Sequence, residues 1–361
     1  MKILYVGRNA RIGGGTTFRL NISRGLRKRG HEIWLASQPG EVLPRYREIG
    51  VGYVWTPPPP WGGWWIANAI RKHGIELVHA SNTTPGTAAE WACDRTGVPM
   101  VMSIHGILGK NDHLATCLQK ARRIMTFEEE AVRNLEAHAD RFDISKIRLL
   151  RRPIEHKPQF PRDDGGFRIV AVGRLSRRKG QNALNLLAAF QEFRKEVPAA
   201  TMQFLGDGTL LGELRKRCDA YNREAGRKVV EVLGSVPEPV PIVGNAHVLV
   251  GASYCALEAI MQGVAVVGAG FWGYGIIDDT NLRDAMAYNF GDVGGPWEMT
   301  TENFLRALRT LYAEWTENTR REKHWRLDRL IEEDHSLDRV AQRLESIYEE
   351  VLTEAGARGG K

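Results

Sequence analysis

Residues 172–180, VGRLSRRKG, put two cations where chains commonly hold an anion. The apolar run 167–172 reads as a buried strand that ends at Gly173, and Arg174 and Lys179 follow before a helical pattern opens at Asn182. A guanidinium and an ammonium at the carboxyl end of a strand, beside a glycine turn and a helix start, suit a diphosphate. Some eighty residues on, SYCALEAIMQGVAVVGAG (253–270) leads from a small-residue turn into a helix carrying Glu258. Gly263 ends that helix before the apolar strand 264–267. Cations for phosphates and a carboxylate for sugar hydroxyls together imply a nucleotide-sugar pocket.

Other residues carry weaker chemical signals. The run Gly13-Gly14-Gly15 lets backbone approach a ligand at a helix N-terminus, although a plain turn needs glycine too. A dinucleotide is disfavoured at this turn: its glycines do not form GxGxxG, and the second strand ends in Ala36-Ser37 without an acid for a ribose. His105 closes the apolar strand 100–104, a placement that fits a ligand contact as well as a satisfied core histidine. His79 sits similarly and ranks lower. No HxxxH or HExxH occurs, and the adjacent pairs Asp163-Asp164 and Asp278-Asp279 lack the spacing of a DxD metal–diphosphate site. A site without metal or cofactor is expected, with Arg174 and Lys179 neutralising the anion. Trp55, Pro57 to Pro60, Trp61, Trp64 and Trp65 make a dense aromatic loop. It suits a membrane interface or lipid-linked substrate, and equally a ring stack on the core or a carbohydrate groove. The run Glu128-Glu129-Glu130 opens a helix, where acids favour the dipole, and receives no chemistry.

These residues need elements to hold them. Strands are expected at 2–6, 32–36, 52–55, 76–79, 99–104, 122–126 and 147–150, separated by helices such as 16–29. Residues 151–166, RRPIEHKPQFPRDDGG, read as a linker. The alternation then restarts with strands at 167–172, 200–205, 229–233, 247–250 and 264–268 and helices at 182–196, 209–224, 255–262 and 301–316. Such alternation implies parallel sheets covered on both faces. The expected division is 1–157, 158–336, and a C-terminal helix, 337–361, crossing back to the first domain. Two domains of this kind facing each other make a cleft, and every motif above falls at the carboxyl end of a strand.

The bulk composition agrees. At 361 residues, 43% hydrophobic and 26% charged, the chain reads as a globular protein of two domains. Cys93, Cys117, Cys218 and Cys255 are scattered and fit reduced cytosolic thiols. The opening MKILYVGRNA has too short an apolar run for a signal peptide, and no segment reads as a membrane span. Residues 1–160 carry +10 and the remainder −3, so the first half expects an anionic partner or a solvated basic face. No nucleic-acid-binding signature is present.

In combination these motifs resemble the retaining glycosyltransferases of the GT-B fold, family GT4, over nearly the whole length. GGG…LRKRGHEI is similar to that family's glycine loop and first helix, IHG at 104–106 to its "HG" strand end, and VGRLSRRKG to its "GRL…KG" motif. FLGDG (204–208), VLGSV (232–236) and ALEAIMQGVAVVG (256–268) follow in the same order. The resemblance implies an α/β fold of two Rossmann-like doubly wound domains, an acceptor domain followed by a nucleotide-sugar domain. It implies that Arg174 and Lys179 bind the donor diphosphate and Glu258 the ribose. Gly14 and Gly15 would approach the phosphates, His105 the donor sugar, and Gly206 and the backbone at Ser253, Tyr254 and Cys255 would complete the donor site. The implied reaction is metal-independent transfer with retention from a UDP- or GDP-sugar to a glycan acceptor, lipid-linked and assembled into cell-surface polysaccharide or glycoconjugate. Trp61, Trp64 and Trp65 are then candidates for the acceptor or an anionic membrane surface. The implied location is cytoplasmic, peripheral on the inner face of the plasma membrane. One departure stands out: the family's second glutamate, eight positions before the helix glutamate, is Val250 here. The linker's usual "PNG" likewise reads Arg152-Pro153. A non-catalytic nucleotide-sugar or glycan-binding relative and a GT-B sugar-nucleotide epimerase are the alternatives.

Overall fold

The computed structural model describes residues 1–359 apart from 60, 110–114, 156–164 and 318, and leaves out the side chains of 178, 320–326, 328 and 357–359. Most of the expected linker, Pro60 and the pair Asp163-Asp164 lie outside the described residues. The chain divides into two compact units, Met1–Glu155 with Asp334–Lys361, and His156–Glu333.

The first unit runs β1 (Lys2–Asn9), α1 (Gly14–Lys28), β2 (Glu32–Gln38), α2 (Leu43–Glu48), β3 (Gly52–Trp55), α3 (Gly63–His73), β4 (Leu77–Ser81), α4 (Thr83–Thr96), β5 (Met100–Ser103), α5 (Thr116–Lys120), β6 (Ile124–Thr126), α6 (Glu129–Glu136) and β7 (Ile147–Leu149). Then come β8 (Phe167–Val172), α7 (Arg177–Glu196), β9 (Ala200–Leu205), α8 (Leu211–Glu224), β10 (Val230–Gly234), α9 (Val240–Gly244), β11 (Val248–Gly251), α10 (Tyr254–Met261), β12 (Ala265–Ala269), β13 (Gly273–Ile276), α11 (Leu282–Ala287), α12 (Thr301–Thr316), α13 (Arg320–His335) and α14 (Leu337–Gly359).

The first sheet has the order β3-β2-β1-β4-β5-β6-β7 and is parallel throughout. Its central strands are covered on both faces, which explains why β4 is buried at every position. The second sheet, β10-β9-β8-β11-β12-β13, is parallel except for the antiparallel pair β12 and β13. In each sheet the strand order reverses beside the first strand of the unit. That reversal opens a crevice at the carboxyl ends, where the glycine run, His105, Arg174 and Ser253 lie.

Three features depart from the sequence reading. Helix α7 starts at Arg177 rather than Asn182, because the Ser176 side chain accepts a hydrogen bond from the Lys179 backbone N–H and caps a polar first turn. Lys179 therefore sits on a helix. Strand β13, short and glycine-rich, and helix α13 were not foreseen.

Helix α14 packs in the first unit through a stripe of Leu337, Ala341, Leu344, Tyr348 and Val351 at helical spacing. The Tyr348 hydroxyl lies 2.9 Å from that of Tyr5 and 2.5 Å from His79 Nδ1, while His79 Nε2 meets Ser103 Oγ at 2.7 Å. His79 is fully buried in this network, so its role is structural. On α1, Gly25 lets the helices touch: a Cβ there would stand 2.8 Å from the Ala341 Cβ. Helix propensity alone favours Gly25→Ala by roughly 1 kcal/mol. The contact predicts the opposite sign, a loss of about 1–3 kcal/mol by overpacking, visible as a lower urea midpoint.

Candidate functional site

The second unit gathers most of the candidates at one sheet edge. Parallel register aligns Val172 with Leu205 and with Gly251, and Gly251 with Gly268, so the loops after β8, β9, β11 and β12 leave side by side. The first two are stitched together: Leu175 N–H donates to the Asp207 carbonyl at 2.9 Å, and Leu210 N–H to the Leu175 carbonyl at 2.9 Å. Gly206 has φ 143°, and a Cβ there would fall 1.9 Å from the Gly173 carbonyl oxygen. Only glycine permits that approach, and it holds Arg174 beside the loop. Arg174 is exposed and has no hydrogen bond or ion pair to another described residue.

Lys179 is more enclosed. Its side chain is 13% exposed, its ammonium pairs with Asp292, and it lies 4.1 Å over the centroid of the Phe271 ring. Across the loop, Ser253 precedes α10 with φ 61°, a left-handed conformation for a residue with a side chain. The first turn of α10, which contains Tyr254 and Cys255, closes on the Ser253 carbonyl, which accepts from Ala256 N–H at 3.1 Å and Leu257 N–H at 3.2 Å. Tyr254 is buried; Cys255 and Glu258 are half-buried. Burial first, then the Glu258 charge, pushes the Cys255 thiol up to about 12; Lys179 opposes the shift and Asp292 adds to it. Val250, where the resemblance leads one to expect a carboxylate, is buried in β11 opposite Ala171 and Val267.

In the first unit the glycine run opens α1, with Thr16 and Thr17 N–H returning to the Gly13 carbonyl. The Arg19 guanidinium, buried beneath this corner, donates to the Asn9 carbonyl at 3.0 Å and Thr16 Oγ1 at 3.1 Å. A Cβ on Gly15 would lie 3.5 Å from the His105 ring, so these two candidates are neighbours. His105 stacks on Phe127 with centroids 4.7 Å apart and meets Phe18 edge-on at 5.3 Å. Its backbone N–H donates to Asn82 Oδ1 at 3.0 Å, and Asn82 holds φ 63°. Neither ring nitrogen has a partner among the described residues. Burial, then the charges of Arg152 and Arg19, holds the ring well below the ordinary histidine range. A neutral imidazole offers one donor and one acceptor.

Trp61, Trp64 and Trp65 are 74%, 61% and 37% exposed, a patch rather than a core stack. Trp65 meets Trp64 at 5.4 Å and Trp55 at 6.0 Å, and Trp91 lies against the Gly63 backbone. Arg95 sits 3.7 Å over the Trp91 ring, and Arg71 donates to the Arg95 carbonyl at 3.5 Å. Sequence distance concealed Trp91 and Arg95. It also concealed Asp292, Phe271 and Asn82, which carry no periodic or motif signal.

Burial neutralises three histidines of the first unit: His79, at about 3, His335, at about 4, and His105. Unfolding frees each to bind a proton below pH ~6.5. The unfolded state then carries more protons, so stability falls as pH drops from ~6.5 toward the folded values and is unaffected by these groups above ~6.5. Each histidine contributes about 1.4 kcal/mol per pH unit in that window. Urea midpoints at pH 7 and pH 5 measure the loss.

Comparisons with known proteins agree with this architecture. Residues 12–157 match the model for Glycosyltransferase Family 4, and residues 166–287 that for Glycosyl transferases group 1. An uncharacterized glycosyltransferase of Bacillus subtilis, YqgM, is 25% identical over 232 residues, 58% of this chain, and the match spans 63% of that relative's length. Among solved structures, HepE of Anabaena in complex with UDP and glucose superposes with TM-score 0.73 at 14% identity, covering 97% of this chain and 99% of that one. A glycosyltransferase from Rickettsia africae gives 0.71 at 14% identity, with 97% and 98% covered. The pneumococcal O-GlcNAc transferase GtfA, in complex with UDP and GlcNAc, gives 0.68 at 11%, with 98% and 99% covered. At these identities the structures share the fold, two parallel-sheet α/β domains. No helix among the described residues is long and apolar enough to cross a membrane. The chain thus has the GT-B fold of glycosyltransferases, its first unit matched by the Glycosyltransferase Family 4 model and its second by the group 1 model.

Proposed function

We propose that the chain transfers a sugar from a UDP- or GDP-sugar to a glycan acceptor, with retention and without a metal. The observation that supports this reading is the second unit's sheet edge, where the adjacent ends of β8 and β11 lead to exposed Arg174 and Lys179 on the first turn of α7, and to Glu258 on α10. Arg174 and Lys179 receive the diphosphate and Glu258 the ribose, while Gly206 and the backbone of Ser253, Tyr254 and Cys255 border the donor. In the first unit, the Gly14 and Gly15 N–H groups take a phosphate and neutral His105 a sugar hydroxyl. The acceptor oxygen bonds to the anomeric carbon on the face from which the nucleotide leaves. The carbon–phosphate oxygen bond breaks, and that departing oxygen takes the acceptor's proton. The enclosed Lys179 ammonium on the leaving diphosphate contributes roughly 3–4 kcal/mol of transition-state stabilisation, and exposed Arg174 less. A thermal-shift and turnover screen of purified protein with UDP-, GDP-, ADP- and CMP-sugars tests this; no response to any of them contradicts it. Buried Val250 favours a second reading, a non-catalytic binder, which shows as tight nucleotide binding without turnover on any acceptor.

The exposed indoles around Trp61, Trp64 and Trp65, bordered by Arg95 and Arg71, support a lipid-linked acceptor met at an anionic membrane surface, peripherally on the cytoplasmic side. Changing all three tryptophans to serine should lower co-sedimentation with phosphatidylglycerol vesicles about tenfold or more, with melting unchanged. Wild-type binding that ignores anionic lipid content contradicts the membrane assignment.

A further inference from the structure

The carboxylate of Asp292 has one oxygen on the Lys179 ammonium, and its other oxygen has no partner among the described residues. Its side chain is 26% exposed, open enough to meet a ligand. The backbone that carries it is held in an uncommon shape. Asn289 and Phe290 have φ 51° and 58°, and with Ser253 and Asn82 they are the four left-handed residues with side chains among the described residues. Three of those four meet here, because Ser253 N–H donates to the Asn289 carbonyl at 3.2 Å. Asp292 N–H donates to the same carbonyl at 3.2 Å, and Trp272 N–H to the Gly291 carbonyl at 2.8 Å. Strained backbone that surrounding bonds over-determine is a recurrent device for holding one side chain in place. The turn before α10 and the loop bearing Asp292 are thus fastened to each other, beside the ammonium assigned to the diphosphate.

We propose that Asp292 is a specificity-determining residue of the donor site, which accepts a hydrogen bond from a hydroxyl of the transferred sugar. The proposal rests on the nucleotide-sugar reading above. An ammonium has three donors, so Lys179 can keep one on Asp292 and turn the others to phosphate oxygens. A carboxylate has acceptor sites to spare, so its second oxygen serves the sugar while the first orients Lys179. Asp292 thereby supplies, from a distant loop, a carboxylate that apolar Val250 in β11 does not.

Titration of wild type and Asp292→Asn with UDP, UDP-glucose, GDP and GDP-mannose tests this. For the nucleotide sugar that wild type binds, the variant should lose at least tenfold in affinity. It should lose no more than about threefold for the matching bare nucleoside diphosphate, and Asp292→Glu should recover part of the difference. An equal loss for sugar and diphosphate reduces Asp292 to a prop for Lys179 and overturns the proposal, as does no loss at all. If Asp292→Asn does not fold, the ratio of the two affinities in Asp292→Glu decides, and an unchanged ratio overturns it. Wild type that binds none of the four compounds overturns the nucleotide-sugar reading itself, a result distinct from the others.

Discussion

Replacing Lys179 by alanine should lower the rate of sugar transfer by about 10²–10³, equivalent to roughly 3–4 kcal/mol of transition-state stabilisation. The ammonium is largely enclosed by Asp292 and Phe271, so water does not readily take over its place against the developing charge on a leaving diphosphate. Steady-state kinetics on the donor found by screening measures the effect. Asp292 retains solvent contact when the ammonium is gone, so the variant should melt close to wild type. Arg174 is exposed, and Arg174→Ala should cost less, because solvent screens its charge. Equal turnover by wild type and Lys179→Ala removes Lys179 from the reaction.

The largest expected effect on stability lies elsewhere. Glu128 and Arg152 form a buried ion pair, with side chains 2% and 5% exposed, and the guanidinium lies 4.9 Å from the centroid of Phe127. Glu128→Ala leaves that guanidinium without its carboxylate and should cost about 3–5 kcal/mol. Phe127 is also the ring on which His105 stacks, so the variant should disturb the first unit's candidate site as well. Glu129, one residue on, pairs with Arg151 at the surface and is 36% exposed. Glu129→Ala should cost about 1 kcal/mol or less. Urea denaturation of the two variants, side by side, separates a buried pair from an exposed one.

This pair shows where sequence reading succeeds and where it stops. Three consecutive glutamates before a helix read as a charged N-terminus, and Glu129 and Glu130 do occupy the first turn of α6. Glu128 precedes that turn and turns inward to a residue 24 positions away, a choice no local pattern encodes. The strands and the glycine turn were legible because parallel-sheet strands are apolar throughout and their ends are punctuated by glycine. The placement of Arg174, Lys179 and Glu258 after strand ends was legible for the same reason: each follows the end of β8 or β11 by seven residues or fewer. The start of α7 was misplaced because its first turn is polar and held by the Ser176 cap rather than by apolar periodicity. Asp292 and the loop around it were invisible, since the segment with left-handed Asn289 and Phe290 is held from elsewhere in the chain, by Ser253 N–H on the Asn289 carbonyl and Trp272 N–H on the Gly291 carbonyl. Trp91 joined the indole patch only through the close packing of α4 on α3 at Gly63.

The second unit's two cations should together bind a diphosphate. Calorimetric titration of UDP and GDP into wild type and into the double variant Arg174→Ala, Lys179→Ala measures that directly. Wild type should bind at least one of the two, and the double variant should bind it at least a hundredfold more weakly at an unchanged melting temperature. Equal affinities in the two proteins would contradict it.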